Sequence, residues 1–149
     1  MTQCNPERGN SLVEFVVTFL MLFAVFSGVF EFGYVIYGYN TLVNAVRSGA
    51  RYASLKPYDS SSSTPSAAFN TSVQDLVVYG DPNPPAGASP ILNGLAPSNV
   101  SLTVGTSGAA PIQMTVAITN YSIGAVFGVF TLNGKPSVTF PYLGIPTPP

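Results

Sequence analysis

The side chains that could do acid–base or nucleophilic chemistry are few in this sequence. It contains no histidine, so neither a Ser-His-Asp nor a Cys-His arrangement can be assembled. After Glu31 the acids are Asp59, Asp75 and Asp81, and their spacing is not that of metal ligands. We therefore expect no enzyme, no cofactor and no metal site.

One carboxylate, that of Glu14, stands where its charge is costly. It belongs to the stretch Gly9–Phe15 (GNSLVEF), directly ahead of the uncharged apolar run Phe15–Phe30. A carboxylate that enters hydrocarbon is expensive unless it is paired, so this position indicates a charge that serves a contact. An acid that merely sits at the headgroup boundary is the alternative.

The apolar run is long enough to cross a bilayer. An α-helix rises 1.5 Å per residue and a bilayer core is about 30 Å thick, so roughly 20 residues are needed. Residues 12–36 supply them, and we predict a transmembrane helix there. A cleaved secretory signal fits less well, because its apolar region usually has about 7–15 residues and no A-x-A-like site follows Phe30 closely.

An aromatic stripe predicts that this helix continues beyond the membrane. Steps of three and four residues place seven rings on one helical face: Phe15, Phe19, Phe23, Phe26, Phe30, Tyr34 and Tyr37. At the same pitch the face reaches Asn44, Arg47 and Arg51. We predict one long helix over residues 10–56, ending before Pro57, whose stripe faces either lipid or a packed partner.

After Pro57 the composition predicts a linker and then a small α+β head. Residues 57–66 are rich in serine and proline and have little to bury, and residues 67–149 form the head. A short helix is expected with Thr64 as its N-cap, Pro65 at its first position, and an apolar face of Phe69, Val73, Leu76 and Val77.

About three antiparallel strands should complete the head. Alternating patterns occupy residues 100–104, 112–119 and 132–142, and the last is broken by the turn-like Asn133-Gly134. Residues 80–90 (GDPNPPAGASP) break any regular structure. The apolar piece SIGAVFGVF, residues 122–130, is ambiguous between a helix and a buried strand.

Composition and charge exclude some partners. Hydrophobic residues make up 46% of the chain and charged residues 7%, against roughly 25% charged in soluble domains. Five Lys+Arg against six Asp+Glu give a formal net charge of -1, so no basic surface is available for a nucleic acid. Cys4 is the single cysteine, and no intramolecular disulfide can form.

The placement of GNSLVEF before an apolar helix resembles the processing and assembly signal of type IV pilins, in the Glu-Phe form of the tight-adherence (Flp) branch. Glu31-Phe32-Gly33, the stretch Arg47–Ala53 (RSGARYA) and the β-rich tail with SIGAVFGVF resemble TadE-like minor pseudopilins more narrowly. The serine-rich linker departs from the family pattern.

The resemblance implies a processing step and an assembly contact. A prepilin peptidase would cut after Gly9, removing a leader of residues 1–9 and leaving Asn10 as the new N-terminus, with Glu14 as the fifth residue and Phe15 after it. Glu14 would then pair with the free amine of a neighbouring subunit. Glu31, Arg47 and Arg51 are further assembly residues on this hypothesis.

The resemblance also implies a location and partners. The chain would lie in the bacterial inner membrane, with its N-terminus cytoplasmic and its head extracytoplasmic, and incorporation into the pilus is compatible with this. The implied partners are the prepilin peptidase, the major pilin, a second minor pseudopilin, the inner-membrane assembly platform and membrane lipid. The positive-inside rule opposes this orientation, because the flank after the span carries three cations, Arg47, Arg51 and Lys56, whereas the flank before it carries Arg8.

Two other classes stay open. A single-pass membrane-anchored surface or scaffold protein needs the span but neither Gly9 nor Glu14. A membrane-tethered hydrolase needs a nucleophile and a base in the head, for which a Ser-Lys dyad at Lys56 or Lys135 is the available material.

Overall fold

The computed structural model describes residues 7–60, 62–108, 110–125 and 128–144. Within these ranges the chain forms two α-helices, five strands and one 3₁₀ turn at Pro97–Asn99. The helices and strands are α1 Glu7–Leu55, α2 Ala67–Tyr79, β1 Val100–Ser107, β2 Ala110–Ile118, β3 Tyr121–Gly124, β4 Val129–Leu132 and β5 Ser137–Pro141. Residues 1–6 of the predicted leader, Ser61 of the predicted linker, and Ala109, Val126, Phe127 and residues 145–149 of the head lie outside the described residues. The α+β class with a long N-terminal helix is confirmed.

Helix α1 is continuous for 49 residues and therefore roughly 74 Å long. It ends at Leu55, one residue before the predicted end, because Pro57 disfavours helical geometry at the residue before it. At the other end it begins at Glu7, so the Gly9–Asn10 bond lies inside the first turn rather than before the helix.

Helix α2 begins two residues later than the sequence pattern predicted. The N-cap is Ser66, whose Oγ accepts a hydrogen bond from the Phe69 N–H at 3.1 Å, and the prediction of Thr64 as the cap was wrong. The Ser66 hydroxyl also donates to a carboxylate oxygen of Asp59, which fixes the cap from outside the helix. At the far end Gly80, with φ 76°, closes α2 by donating its N–H to the Leu76 carbonyl.

The three predicted strands correspond to one antiparallel sheet of order β1-β2-β5. Its central strand buries alternate side chains, Met114, Val116 and Ile118, so one face lies on the helices and the other faces outward. The described residues of SIGAVFGVF form neither a helix nor a single strand: β3 and β4 pair as a separate antiparallel hairpin, with Ser122 opposite Thr131. We call residues 121–132 the β3–β4 hairpin.

The core of the head forms around the C-terminal part of α1. Leu42, Val46 and Ala53 are fully buried there, and they share one cluster with Phe69 of α2 and Met114 of β2. By contrast, the large apolar side chains between Leu12 and Phe30 are exposed. The same helix therefore supplies the head's central packing element and an apolar segment that its own chain leaves uncovered.

The predicted linker is docked onto the head by Tyr58. This side chain is fully buried, and its ring meets Phe69 edge-on at a centroid distance of 5.6 Å. The Tyr58 hydroxyl donates a hydrogen bond to the Ser62 carbonyl at 2.6 Å, and the backbone N–H of Tyr58 donates one to the Tyr142 hydroxyl at 2.8 Å. Burial raises the pKa of the Tyr58 phenol. The expectation that the segment has little to bury missed this residue.

The close packing of α1 against α2 depends on Gly49, and a substitution there tests it. A Cβ at position 49 would overlap Cγ2 of Val77, which is fully buried. We expect Gly49→Ala to lower the free energy of unfolding of the head by about 1–3 kcal/mol through overpacking, measured by thermal denaturation of the detergent-solubilised chain. Gly33→Ala is the matched control, because nothing lies within 4 Å of a Cβ there. Equal melting temperatures for the two variants would contradict this packing.

Candidate functional site

The described part of α1 presents two faces that differ in what covers them. Small and aliphatic residues face the head: Gly38, Leu42, Val46, Gly49, Ala50 and Ala53 are all buried. The aromatic stripe lies about 150° around the helix from this face, by the rotation of 100° per residue. Its seven rings, from Phe15 to Tyr37, are exposed, so the head leaves that side of the helix uncovered.

Polar residues extend the uncovered face beyond the rings, as predicted. Asn44, Arg47 and Arg51 are exposed and continue the stripe. The two guanidinium groups are one turn apart on the side of α1 that faces away from the head. This face therefore offers rings along the span and cations above it to anything that lies alongside α1.

Glu14 is exposed near the start of α1. None of the residues one helical turn away, Asn10, Ser11, Val17 and Thr18, is a cation. A counter-charge for this carboxylate in an apolar environment must therefore come from farther along the chain or from another molecule.

Gly9 occupies the part of α1 that is easiest to unwind. It lies in the first turn, where backbone N–H groups lack intrahelical acceptors. Glycine also costs about 1 kcal/mol relative to alanine within a helix. Local opening around the Gly9–Asn10 bond is thus cheap, which suits a bond that an enzyme must reach.

Glu31 lies on the head side of α1, beneath the β3–β4 hairpin. Its half-buried side chain lines a groove of about 270 Å³ together with Phe32 and Phe130. It also lines an adjoining groove of about 370 Å³ with Tyr34 and Gly124. Sequence reasoning placed Glu31 at membrane depth but did not bring SIGAVFGVF to it; the signal available was the absence of charge in that piece.

The predicted site residues are not gathered into one pocket. Glu31 lies 17 residues after Glu14, which is about 26 Å along the axis and about 100° around it. Arg47 lies roughly 24 Å farther on. The arrangement is a series of separate contacts along a rod, suited to lateral packing rather than to chemistry at a point.

The two lysines of the hydrolase alternative lie in different surroundings. The Lys56 ammonium lies over the rings of Tyr52 and Phe69, at 5.4 and 5.3 Å from their centroids. Such cation–π contacts hold the lysine against the head. Lys135 is exposed in the connection between β4 and β5.

Comparison with known proteins gives a match for the helix and none for the head. A family model described as TadE-like protein matches residues 9–51, which is most of α1. No curated protein and no solved structure matches the chain. Residues 9–51 are therefore similar to the TadE-like family, as GNSLVEF and Glu31-Phe32-Gly33 predicted.

The described part of the chain contains one helix suited to a membrane. An 18-residue window within Asn10–Leu55 has a mean hydropathy of 2.3, and none of that window is buried. By length and composition α1 could cross a bilayer, consistent with a single-pass protein.

The exposed cations permit a test that separates contact from folding. We expect the double variant Arg47→Glu/Arg51→Glu to change the free energy of unfolding by no more than about 0.5 kcal/mol per site, because both side chains are exposed. Pilus counts should nevertheless fall, since the uncovered face then carries the opposite charge. Ala50→Glu, which buries a charge on the adjacent face, should unfold the head instead. Normal piliation in the double variant would remove the two arginines from the site.

Proposed function

We propose that this protein is a minor pseudopilin, a structural and assembly factor of tight-adherence pilus biogenesis that a prepilin peptidase cleaves after Gly9. The observation that carries the proposal is the continuous helix α1, which contains GNSLVEF in its first three turns and matches the TadE-like family over residues 9–51. Its outward face is uncovered along the entire apolar segment. On this proposal the protein is no enzyme.

Cleavage after Gly9 would create a cationic group that can pair with the Glu14 carboxylate. Hydrolysis of the Gly9–Asn10 bond frees an α-amine on Asn10, which is cationic at neutral pH. The amine of one subunit and the Glu14 carboxylate of the next can neutralise each other at the membrane boundary. Because an unpaired charge in a low-dielectric setting is costly, this pairing favours one axial register between neighbouring helices.

The division of α1 into two faces supports lateral assembly. The core of the head covers one side of the helix from Gly38 onward, and the β3–β4 hairpin lies along the same side as far as Gly28, while the stripe remains open on the other side. A neighbouring helix can approach the rings without displacing the head. The exposed Arg47 and Arg51 extend the same approach beyond the membrane.

The proposed location is the bacterial inner membrane, with the N-terminus in the cytoplasm and the head outside it. The proposed partners are the prepilin peptidase, the major pilin, a second minor pseudopilin, the assembly platform and the surrounding lipid. Reporter fusions at Arg8 and Pro149 test the orientation. A periplasmic reporter that is active at Arg8 and silent at Pro149 would show the opposite orientation, with the head in the cytoplasm.

The N-terminal mass discriminates this function from its alternatives. The proposal expects a chain that begins at Asn10 in cells with the prepilin peptidase and an intact leader in cells without it. A chain that stays intact in both strains would favour an anchored scaffold. For the hydrolase alternative, Lys56→Ala and Lys135→Ala should leave piliation unchanged if the proposal holds.

Gly9 and Glu14 should separate processing from assembly. We expect Gly9→Leu to leave the leader attached, because the peptidase cleft needs a small residue, and to abolish productive assembly. Glu14→Leu should still be cut, since leucine inserts more easily than glutamate and the span is unchanged, yet it should not support pili. Immunoblots that resolve precursor from mature protein, together with pilus counts, measure both effects.

Glu14→Gln and Glu14→Asp are the matched controls for charge and shape. Glutamine keeps the shape without the charge and should behave like leucine, whereas aspartate should retain part of the function. Normal pili from Glu14→Leu, or maturation of Gly9→Leu to Asn10, would show the pilin-type mechanism to be wrong.

Glu31 provides a second, independent test. We expect Glu31→Gln to preserve insertion and processing but to weaken assembly with a partner helix, because ionisable residues at membrane depth usually serve a contact. Piliation relative to the wild type is the measurement, with the mature band as the control for processing. Wild-type piliation would mean that the carboxylate only reaches the outer headgroups, and Glu31 would leave the site.

A further inference from the structure

The β3–β4 hairpin extends along α1 toward the apolar segment rather than away from it. At its upper end a Cβ on Gly38 would lie 3.3 Å from Cδ1 of Ile123, so hairpin and helix are in contact there. At its lower end Gly128 and Phe130 share a groove with Gly28. The hairpin thus follows α1 over ten residues, which is about 15 Å.

The lower end of the hairpin lies at membrane depth. The apolar span occupies residues 12–36, and Gly28 lies eight residues inside its end, or about 12 Å. When α1 crosses a bilayer, the residues that line the groove with Gly28 lie at the level of the acyl chains. Gly128 and Phe130 have that position because the rest of the head is fixed to α1 between Leu42 and Ala53.

The chemistry of the hairpin fits this depth. Residues 119–134 contain no charged side chain. Val129 is 69% exposed and Phe130 is 49% exposed, whereas the polar pair of Ser122 and Thr131, with hydroxyl oxygens 3.1 Å apart, lies farther from the tip. Across the tip the Ala125 N–H donates to the Gly128 carbonyl at 2.8 Å, which reduces the number of backbone groups without partners.

We propose that the β3–β4 hairpin is a second membrane contact, which inserts the exposed side chains of Val129 and Phe130 among the acyl chains of the head-side leaflet next to α1. The occupant of the exposed apolar surface at Val129 and Phe130 is lipid. The proposal rests on the spanning α1 of the proposed function, but not on cleavage or on a pilus. With the helix and the hairpin both embedded, the head has two points of attachment and cannot tilt freely on the bilayer.

The chain contains no tryptophan, so one introduced indole reports from a single place. The experiment uses the full chain with Val129→Trp, reconstituted in phosphatidylcholine vesicles whose acyl chains are brominated. Leu143→Trp is the matched control, because Leu143 is 71% exposed, similar to Val129, but is tied to Ser54 by a backbone hydrogen bond of 2.9 Å. Ser54 lies 23 residues beyond Glu31, about 35 Å along α1. Phe30→Trp, on the helix itself, reports whether α1 is embedded.

We expect bromine to quench Val129→Trp nearly as strongly as Phe30→Trp and at least twofold more than Leu143→Trp. Acrylamide in the water should show the reverse order. Phe130→Trp repeats the measurement with an aromatic residue replaced by an aromatic one, so that a local disturbance at Val129 cannot decide the outcome.

Three outcomes overturn the proposal. If Phe30→Trp is quenched while Val129→Trp and Phe130→Trp match Leu143→Trp, the hairpin is outside the bilayer although α1 spans it. If Phe30→Trp is not quenched either, α1 does not span the bilayer, and the proposed function is wrong together with the hairpin proposal. If Val129→Trp is shielded from acrylamide without bromine quenching, and only at high protein-to-lipid ratios, a second copy covers the tip instead of lipid.

Discussion

The packing of the head onto one face of α1 is the constraint on which the other features depend. Gly38, Leu42, Val46 and Gly49 follow steps of four and three, so they stay in phase on one side of the helix. A helix without a break transmits that phase to its other end. The burial of Val46 therefore determines which way Phe19 points, although about 40 Å separates the two residues. The direction in which the aromatic stripe meets its surroundings is fixed by the core of the head.

The same geometry explains why RSGARYA carries charge and small residues together. Gly49, Ala50 and Ala53 point toward the head and are buried, and Gly49 has no room for a side chain beside Val77. Arg47 and Arg51 alternate with them and are exposed. Because 3.6 residues complete a turn, seven residues suffice to serve both faces. One short stretch thus contributes to the stability of the head and to the surface that a neighbour can contact.

Features that depend on local periodicity could be predicted from the sequence. The length of α1, its aromatic stripe and the three strands of the main sheet follow from spacing within one element. The apolar side of α2 was predicted in part, because Phe69, Val73 and Val77 are buried as expected, whereas Val78 is buried in place of Leu76. The N-cap of α2 could not, because Thr64-Pro65 matched the local pattern while Asp59 secures Ser66 from seven residues away. The burial of Tyr58 was missed for a similar reason. The hydroxyl that accepts a hydrogen bond from its backbone N–H belongs to Tyr142, 84 residues away. The grooves that Glu31 shares with residues of SIGAVFGVF join segments still farther apart in the chain, and no periodicity within either segment encodes that proximity.

The two acidic residues of the apolar segment differ in what their own chain provides. Glu31 is half-buried beneath the β3–β4 hairpin, where Tyr34 and Phe130 line the adjoining grooves. Its environment is largely built by the fold. Glu14 is exposed, and no cation stands one turn from it. A charge that enters hydrocarbon must be compensated wherever the compensation is available. For Glu31 part of the surroundings comes from the head, whereas for Glu14 nothing within a helical turn can supply the counter-charge. A cation from a neighbouring subunit would therefore stabilise Glu14 more than Glu31. This makes Glu14 the better suited of the two to favour one axial register between neighbouring helices.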